Sequence, residues 1–501
     1  MQAGGADEVS ACRHCVMKSG FVARGSALRF RWRPSRAAAR ILGMNSQAPI
    51  PFSQRTAWER APNRLAEAWA RSLASGKPSI DLTESNPTRC GFSYPEARIL
   101  RALADPRGLV YEPLPRGLPA AREAVAAHLA AEVPGAAPCS PKDLILCAST
   151  SEAYSWLMKL LGERGDQVLV PHPSYPLFDF LAGLEDVTLV RYALRREERW
   201  RIDFESLAAG ATPRTRAVIV VHPNNPTGNT LTVAEAGKLV DFCAERNLAI
   251  ISDEVFLEYP FRPAPGAASS PLIEETAAEA SADSPDRAGP NRTDSSTPRM
   301  ARRDSPAAGH HLLAGSLAPR GGCLVFSLGG LSKSSGLPQI KVGWIRVGGP
   351  PEFASEALAR LEVIADTYLP VNTPAQWALP ELLAAGREVR DAIRARTAAN
   401  RRWLDSRARD AAWELLPADG GWYAVLRVPH TRTEEEWCLL LAEEEGVLLH
   451  PGFFFDFESE AFLVASLLPE EGRFAEAMAR VLGRIGGTEE VGKRARHQGR
   501  P

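Results

Sequence analysis

The chain has 501 residues, 45% of them hydrophobic and 24% charged, with a formal net charge of −1. That length supports a large core and two or three domains, and the balanced charge gives no concentrated basic footprint for a nucleic-acid partner. No apolar run reaches the roughly 18 residues a membrane-crossing helix needs, and the eight cysteines are scattered, several in apolar runs, as reduced core cysteines would be.

Residues 1–47 read as a disordered basic N-terminal extension. Within 1–43, eight Lys/Arg stand against only Asp7 and Glu8. An Arg-rich, acid-poor leader can address an organelle; the plainer reading is an extension, or a start at Met44, on a cytoplasmic protein. Cys12 and Cys15 form a lone C-x-x-C with no second pair beside it, so no metal site is expected. Residues 48–92 read as the N-terminal segment of a small domain and 93–350 as a large domain. Inside the latter, residues 263–320 are rich in Pro, Ser, Ala, Asp and Arg. Such a stretch buries too little apolar surface to offset its ordering entropy, and is expected to be a disordered insertion. Residues 351–486 pass to long helices and then short strands, such as Trp422–Leu426 and Phe462–Val464, as a smaller C-terminal α+β domain would. Residues 487–501 read as a disordered tail.

The large domain alternates strand and helix. Leu144–Leu146, Gln167–Val170, Ala217–Val221, Leu248–Ile251 and Cys323–Phe326 are apolar runs, as strands buried on both faces of a parallel sheet are. Between them, Ala153, Trp156, Leu157, Leu160 and Leu161 fall at helical spacing, as do Ala234, Leu239, Phe242 and Cys243. The pattern predicts an α/β, three-layer αβα domain with a mostly parallel sheet.

Ligands of such sheets collect at the carboxyl ends of the strands, so the segment after each strand carries the functional signal. After the first comes "ASTSEAY" (148–154), where Ser149, Thr150 and Ser151 would sit at a helix N-terminus, a ready phosphate site, although a capping pair of Ser149 with Glu152 explains it equally well. After the second comes "PHPSYPLF", whose Tyr175 can stack on a planar ligand or fill the core. "HPNNPTG" follows Val221, with turn chemistry as the simpler account of its asparagines. "SDEVF" follows Ile251, and Asp253 there needs a partner, because an unpaired buried carboxylate costs several kcal/mol. Last, Lys333 lies in "GLSKSSGLPQIKVGW" (330–344); a desolvated lysine has a lowered pKa and forms imines. Pyridoxal phosphate uses all of these: an imine-forming lysine, a carboxylate on its ring nitrogen, an aromatic over its ring and a phosphate cradle.

The segments "NNPTG" (224–228), "SDEV" (252–255) and "LSKSSGLPQIKVGW" (331–344), in that order and with "GLVYEPLPRGLPAAREAVAAHL" (108–129), resemble the fold-type I pyridoxal-phosphate enzymes, specifically class I/II aminotransferases, over about residues 48–485. The resemblance implies transamination between an amino acid and a 2-oxo acid, the alternative being a lyase or decarboxylase on the same scaffold. It assigns Lys333 as the catalytic, imine-forming residue. Asp253 would face the ring nitrogen, Asn225 the phenolic oxygen and Tyr175 the ring face; Ser149, Thr150, Ser151 and Lys341 would hold the phosphate. Tyr111 matches a tyrosine that reaches the neighbouring subunit's phosphate, which implies a homodimer with shared sites.

Four departures stand out. Lys341 replaces an arginine, Gly330 a serine and Phe256 a tyrosine. Val464 stands where an arginine commonly binds the substrate's α-carboxylate; Arg89 in "ESNPTRCGF" is either its replacement or an ordinary surface arginine.

Overall fold

The computed structural model describes residues 52–58, 61–133, 138–261, 313–409, 411–459 and 461–498, with side chains as far as residue 486. The expected extension 1–47, Cys12, Cys15 and most of the expected insertion lie outside these residues.

The chain enters the fold through the helix Arg64–Ala74, started by the Asn63 side chain accepting from the Ala66 N–H, and strand β1 (Ile80–Asp81). The apolar runs read from the sequence then become the interior of an eight-stranded sheet. Its strands are β2 (Leu144–Cys147), β3 (Gln167–His172), β4 (Thr188–Arg196), β5 (Trp200–Ile202), β6 (Thr215–Val221), β7 (Ala249–Asp253), β8 (Val325–Gly330) and β9 (Gly343–Gly348). They lie in the order β2-β9-β8-β7-β6-β3-β4-β5. The run from β8 to β4 is parallel; β9 is antiparallel to β8 and β2, and β5 to β4.

Alternation along one strand shows the three layers. Val218 and Val220 of β6 pack into one core with Leu239 and Cys243 of the helix Val233–Glu245. Ala217, Ile219 and Val221 pack into the opposite core with Ala153, Trp156 and Leu157 of the helix Thr150–Leu161. Helices thus cover both faces, and the central strands carry no solvated side.

A smaller antiparallel sheet follows: β10 (Glu414–Leu415), β11 (Tyr423–Arg427), β13 (His450–Pro451) and β14 (Phe462–Ser466), in the order β10-β11-β14-β13; β12 (Val447–Leu448) pairs in parallel with β1. Trp69, Leu426, Leu463, Phe474 and Val481 share its core, so the helix Arg64–Ala74 folds onto the last described strands.

Three boundaries differ from the sequence reading. The helix Pro351–Tyr368, expected in the smaller domain, packs Leu361 and Ala365 into the large sheet's core with Ile145 and Phe326. The 33-residue helix Thr373–Asp405 spans both halves: Leu379 and Leu382 pack with Leu118 and Trp344, while Leu404 joins the smaller core. No break falls at residue 350. Residues 313–320, read as the end of the insertion, are packed instead: Leu317 is fully buried, its N–H donates to Glu254 (2.9 Å), and the His222 ring reaches the Gly315 carbonyl (3.2 Å). Ala314 and Leu317 join the core beneath the large sheet, while Leu313 remains exposed. The last helix, Glu471–Gln498, continues through residues 487–498, which the sequence reading assigned to a disordered tail; Glu, Lys, Arg and Ala there favour continuing an existing helix. No helix among the described residues is long and apolar enough to cross a membrane.

Candidate functional site

A cavity of about 370 Å³ opens at the carboxyl ends of β6, β7 and β8 and is closed on its far side by the smaller sheet. Asn225, Asp253, Tyr175, Lys333, Lys341, Ser149, Thr150 and Ser151 all line it. Their separations in sequence reach almost two hundred residues; what unites them is that Ser149, Thr150, Ser151, Tyr175, Asn225, Asp253 and Lys333 lie at or just beyond strand ends of one sheet, with Lys341 just before β9.

Asp253 ends β7 and is 6% exposed. It accepts from the Tyr154 hydroxyl (3.0 Å) and the Val255 N–H (3.2 Å). Burial drives its carboxyl up to about 6, against the opposing pull of these two donors and the Lys333 charge. A cationic N–H directed at its oxygens would return it to the ionised form.

The two asparagines of "NNPTG" divide the work. Asn224 does the turn chemistry: its amide donates to the Pro173 carbonyl (2.9 Å) and the Thr227 hydroxyl (2.7 Å). Gly228 closes that turn at φ +69°, where an added Cβ would stand 2.5 Å from the Gly420 carbonyl oxygen. Asn225 is left facing the cavity, 6% exposed, with Oδ1 buried and lacking a hydrogen-bond partner among the described residues. Such a group costs stability unless a ligand completes it.

Lys333 lies on the short helix Leu331–Ser334 that follows β8. Its Nζ stands 4.4 Å from the Trp422 ring centroid and 5.5 Å from that of Phe256. The turn is held from behind: the Tyr259 hydroxyl donates to the Lys333 carbonyl, and Arg390 to that of Ser334 (3.4 Å). Gly329 and Gly330 let β9 approach, since a Cβ on them would stand 2.4 Å from the Trp344 ring and 3.1 Å from the Val342 carbonyl oxygen. A serine at 330 therefore has little room here.

At the opposite end, Ser149 caps the helix Thr150–Leu161 by accepting from the Glu152 N–H (3.2 Å), while Glu152 accepts from the Ala148 N–H (2.6 Å). The cap and the anion site are compatible, because the serine hydroxyl keeps its proton to donate. Lys341 projects from a backbone at φ +60°, the left-handed region that disfavours a side chain.

Two expected residues stand apart. Tyr111 is 65% exposed, beside Leu109 and Val110, and does not line the cavity of its own chain. Arg89 is exposed on the turn Pro87–Arg89 and is not among the cavity's walls. Sequence reasoning missed Thr83, Ser85, Tyr423, His450 and Phe455, which the smaller sheet and the loop after β1 bring to the cavity. It also missed Tyr154 behind Asp253, whose one signal was a tyrosine among the apolar positions of its helix.

Known proteins resemble this chain in sequence and in fold. A sequence profile described as aminotransferase class I and II matches residues 81–475. The chain is 27% identical over 429 residues to the alanine aminotransferase of Mycobacterium tuberculosis (strain ATCC 25618 / H37Rv), covering 82% of this chain and 86% of that one. To the glutamate-pyruvate aminotransferase AlaA of Escherichia coli (strain K12) it is 26% identical over 344 residues, 68% and 71% of the two chains. The solved structure of an alanine aminotransferase from Pyrococcus furiosus shares the fold, with a TM-score of 0.70 at 21% identity over 87% of this chain and 99% of that one.

Proposed function

The chain belongs to the class I and II aminotransferases and transfers amino groups; from that premise we propose that it does so with pyridoxal phosphate held in the cavity between the two sheets, on Lys333. One observation carries the reading. The amine of Lys333, the buried carboxyl of Asp253 and the Oδ1 of Asn225, which has no hydrogen-bond partner among the described residues, converge on one 370 Å³ space at the strand ends.

The residues present fit that cofactor. Its protonated ring nitrogen gives Asp253 the cationic donor that would draw the carboxyl back down from about 6. Asn225 supplies an amide whose oxygen and nitrogen are interchangeable by a flip, so it can face the phenolic oxygen as donor. Ser149, Thr150, Ser151 and Lys341 form an anion site at a helix N-terminus. Tyr175 flanks the space, its ring set edge-on to Phe178 at 5.9 Å. Bound there, the cofactor supplies the electron sink that allows the α-C–H bond of an amino acid to break.

The protein's own work is positioning and proton handling. Lys333 Nζ takes the proton from the substrate's α-carbon and holds it over the Trp422 ring, whose face favours the ammonium. Trp422 is fully buried and Phe256 is 3% exposed, so they keep water from that amine. Tyr259 and Arg390 fix the carbonyls beneath it, so the amine returns to one place.

The names of the relatives point to alanine, glutamate and their 2-oxo acids as substrates. The active unit is a homodimer: Leu109, Val110 and Tyr111 are 90%, 59% and 65% exposed in the single chain, and a second copy would bury them and receive Tyr111.

The test is direct. Protein loaded with pyridoxal phosphate is treated with borohydride and digested; the mass increase is expected on the peptide containing Lys333 and is absent in Lys333→Ala. Adding L-alanine should convert the bound cofactor to its amine form with release of pyruvate and no ammonia. A colourless, untrapped protein would overturn the cofactor reading, and ammonia release would instead favour the lyase chemistry.

A further inference from the structure

The helix Thr150–Leu161 serves the cavity at two points. Its first turn puts Thr150 and Ser151 on the cavity wall. Tyr154 follows Thr150 by four residues, on the same helix face, and stands behind the wall, not on it. It is fully buried. Its hydroxyl donates to Asp253 Oδ2 (3.0 Å), while the Val255 N–H donates to Oδ1 (3.2 Å). Each carboxylate oxygen is thus gripped once from behind and keeps a lone pair for the cavity.

Packing alone does not call for that hydroxyl, because a phenylalanine would fill the same core space. The Tyr154 ring is set edge-on to Phe178 at 5.3 Å, and Phe178 is edge-on to Tyr175 at 5.9 Å. One phenylalanine therefore seats both the ring behind Asp253 and the ring beside the cavity. What the hydroxyl adds is a donor without charge. A lysine or arginine in its place would also hold the carboxylate ionised, but would offset its charge. A hydroxyl stabilises the anion and leaves the full negative charge to a cation entering the cavity. Burial and the Asp253 charge push the Tyr154 hydroxyl well above a phenol's usual value, so it stays a donor. Two other charges act on Asp253: Lys333, which favours the anion, and Glu254, which opposes it. Glu254 is occupied by the Leu317 N–H (2.9 Å) and the Ser327 hydroxyl (2.7 Å).

We propose that Tyr154 is a positioning residue: by gripping the Asp253 carboxylate from behind, it keeps the proton of bound pyridoxal phosphate on the ring nitrogen. This rests on the reading that pyridoxal phosphate binds in this cavity. Without the hydroxyl the carboxyl holds a proton more strongly, and the one proton of the pair passes from ring nitrogen to Asp253. The pair's total charge does not change. The ring, however, loses the positive charge that makes it an electron sink.

The experiment compares wild type, Tyr154→Phe, Asp253→Asn and the double variant, each loaded with pyridoxal phosphate and checked for borohydride trapping at Lys333. With the cofactor isotope-labelled at its ring nitrogen, NMR at pH 7 reads where the proton lies. Wild type should show a protonated ring, and Tyr154→Phe a signal moved toward neutral pyridine. Losing a hydrogen bond to a charged group should lower kcat with L-alanine about ten- to a hundredfold, with KM little changed. In the Asp253→Asn background, Tyr154→Phe should move neither the ring signal nor kcat further. A cofactor analogue with carbon in place of the ring nitrogen should bind wild type and Tyr154→Phe equally; a general loosening of the site would weaken it in the variant and overturn the proposal. A wild type that traps no cofactor fails the cofactor reading and takes this proposal with it. Tyr154→Phe that traps normally and keeps the wild-type ring signal overturns the proposal alone, as does an undiminished further loss in Asp253→Asn. A neutral ring in trapped wild type overturns it without any variant.

Discussion

Replacing Asp253 by Asn should make the cofactor-free protein more stable while removing its function. In the fold the carboxyl titrates at about 6, against an ordinary value of 3.8. Between those values the folded state binds more protons than the unfolded state, so stability falls as pH rises through the window. The gap of roughly 2 units, at about 1.36 kcal/mol each, amounts to about 3 kcal/mol at neutral pH. Asn has nearly the same volume and does not ionise; its oxygen can accept from Val255 and its amide can face the Tyr154 oxygen. Urea unfolding of both cofactor-free proteins across about pH 4 to 8 measures the difference. The variant should be more stable by up to about 3 kcal/mol at pH 7, and the gain should vanish toward pH 4. A gain independent of pH, or a variant less stable than wild type at pH 7, would refute the argument that burial of this charge is uncompensated.

Tyr154→Phe removes a 3.0 Å donor from the same carboxylate; it should cost about 1–2 kcal/mol at pH 8 and less at pH 5, where the carboxyl is protonated, as the same unfolding series would record. Lys341→Gly relieves a left-handed backbone at φ +60° and should stabilise the cofactor-free protein by about 1 kcal/mol; fluorescence titration should show pyridoxal phosphate binding roughly tenfold weaker, the loss of one charge on phosphate. Arg390→Ala should cost about 3–5 kcal/mol in urea unfolding, since fully buried Arg390 pairs with Glu258 (2.7 Å) and Glu132 (2.6 Å). A loss below about 1 kcal/mol would mean that water reaches those carboxylates.

How far the sequence could be read depends on the demands each residue must satisfy locally. The runs that became β2, β3, β6, β7 and β8 are apolar because both of their faces are covered, and that leaves a mark in the letters themselves. Strand β4 left none: it carries Arg191, Arg195 and Arg196, its outer residues are exposed or half-buried, and its pairing depends on β3 lying beside it. Strand β9 was hidden in the lysine segment, where the motif drew attention and the antiparallel return did not. Most of the cofactor-facing residues were legible for a topological reason, since Ser149, Tyr175, Asn225, Asp253 and Lys333 lie at or within four residues beyond the end of a strand. The far wall was not. Thr83, Tyr423 and His450 belong to short segments whose relation to the large sheet is set only by packing, and a histidine between Leu449 and Pro451 looks like any core residue. Arg89 is a different case: the position of its segment in the family resemblance recommended it, and its side chain is exposed and outside the cavity's walls.

The helix Thr373–Asp405 has a mechanical consequence. At about 1.5 Å per residue it is a rod of roughly 50 Å, and it belongs to both hydrophobic cores at once. A wedge of solvent driven between the sheets would have to strip one end of that rod from its neighbours, which penalises separation of the halves long before either has melted. Heating should therefore produce a single heat-absorption peak, with no plateau at which the smaller sheet has let go while the larger one stands.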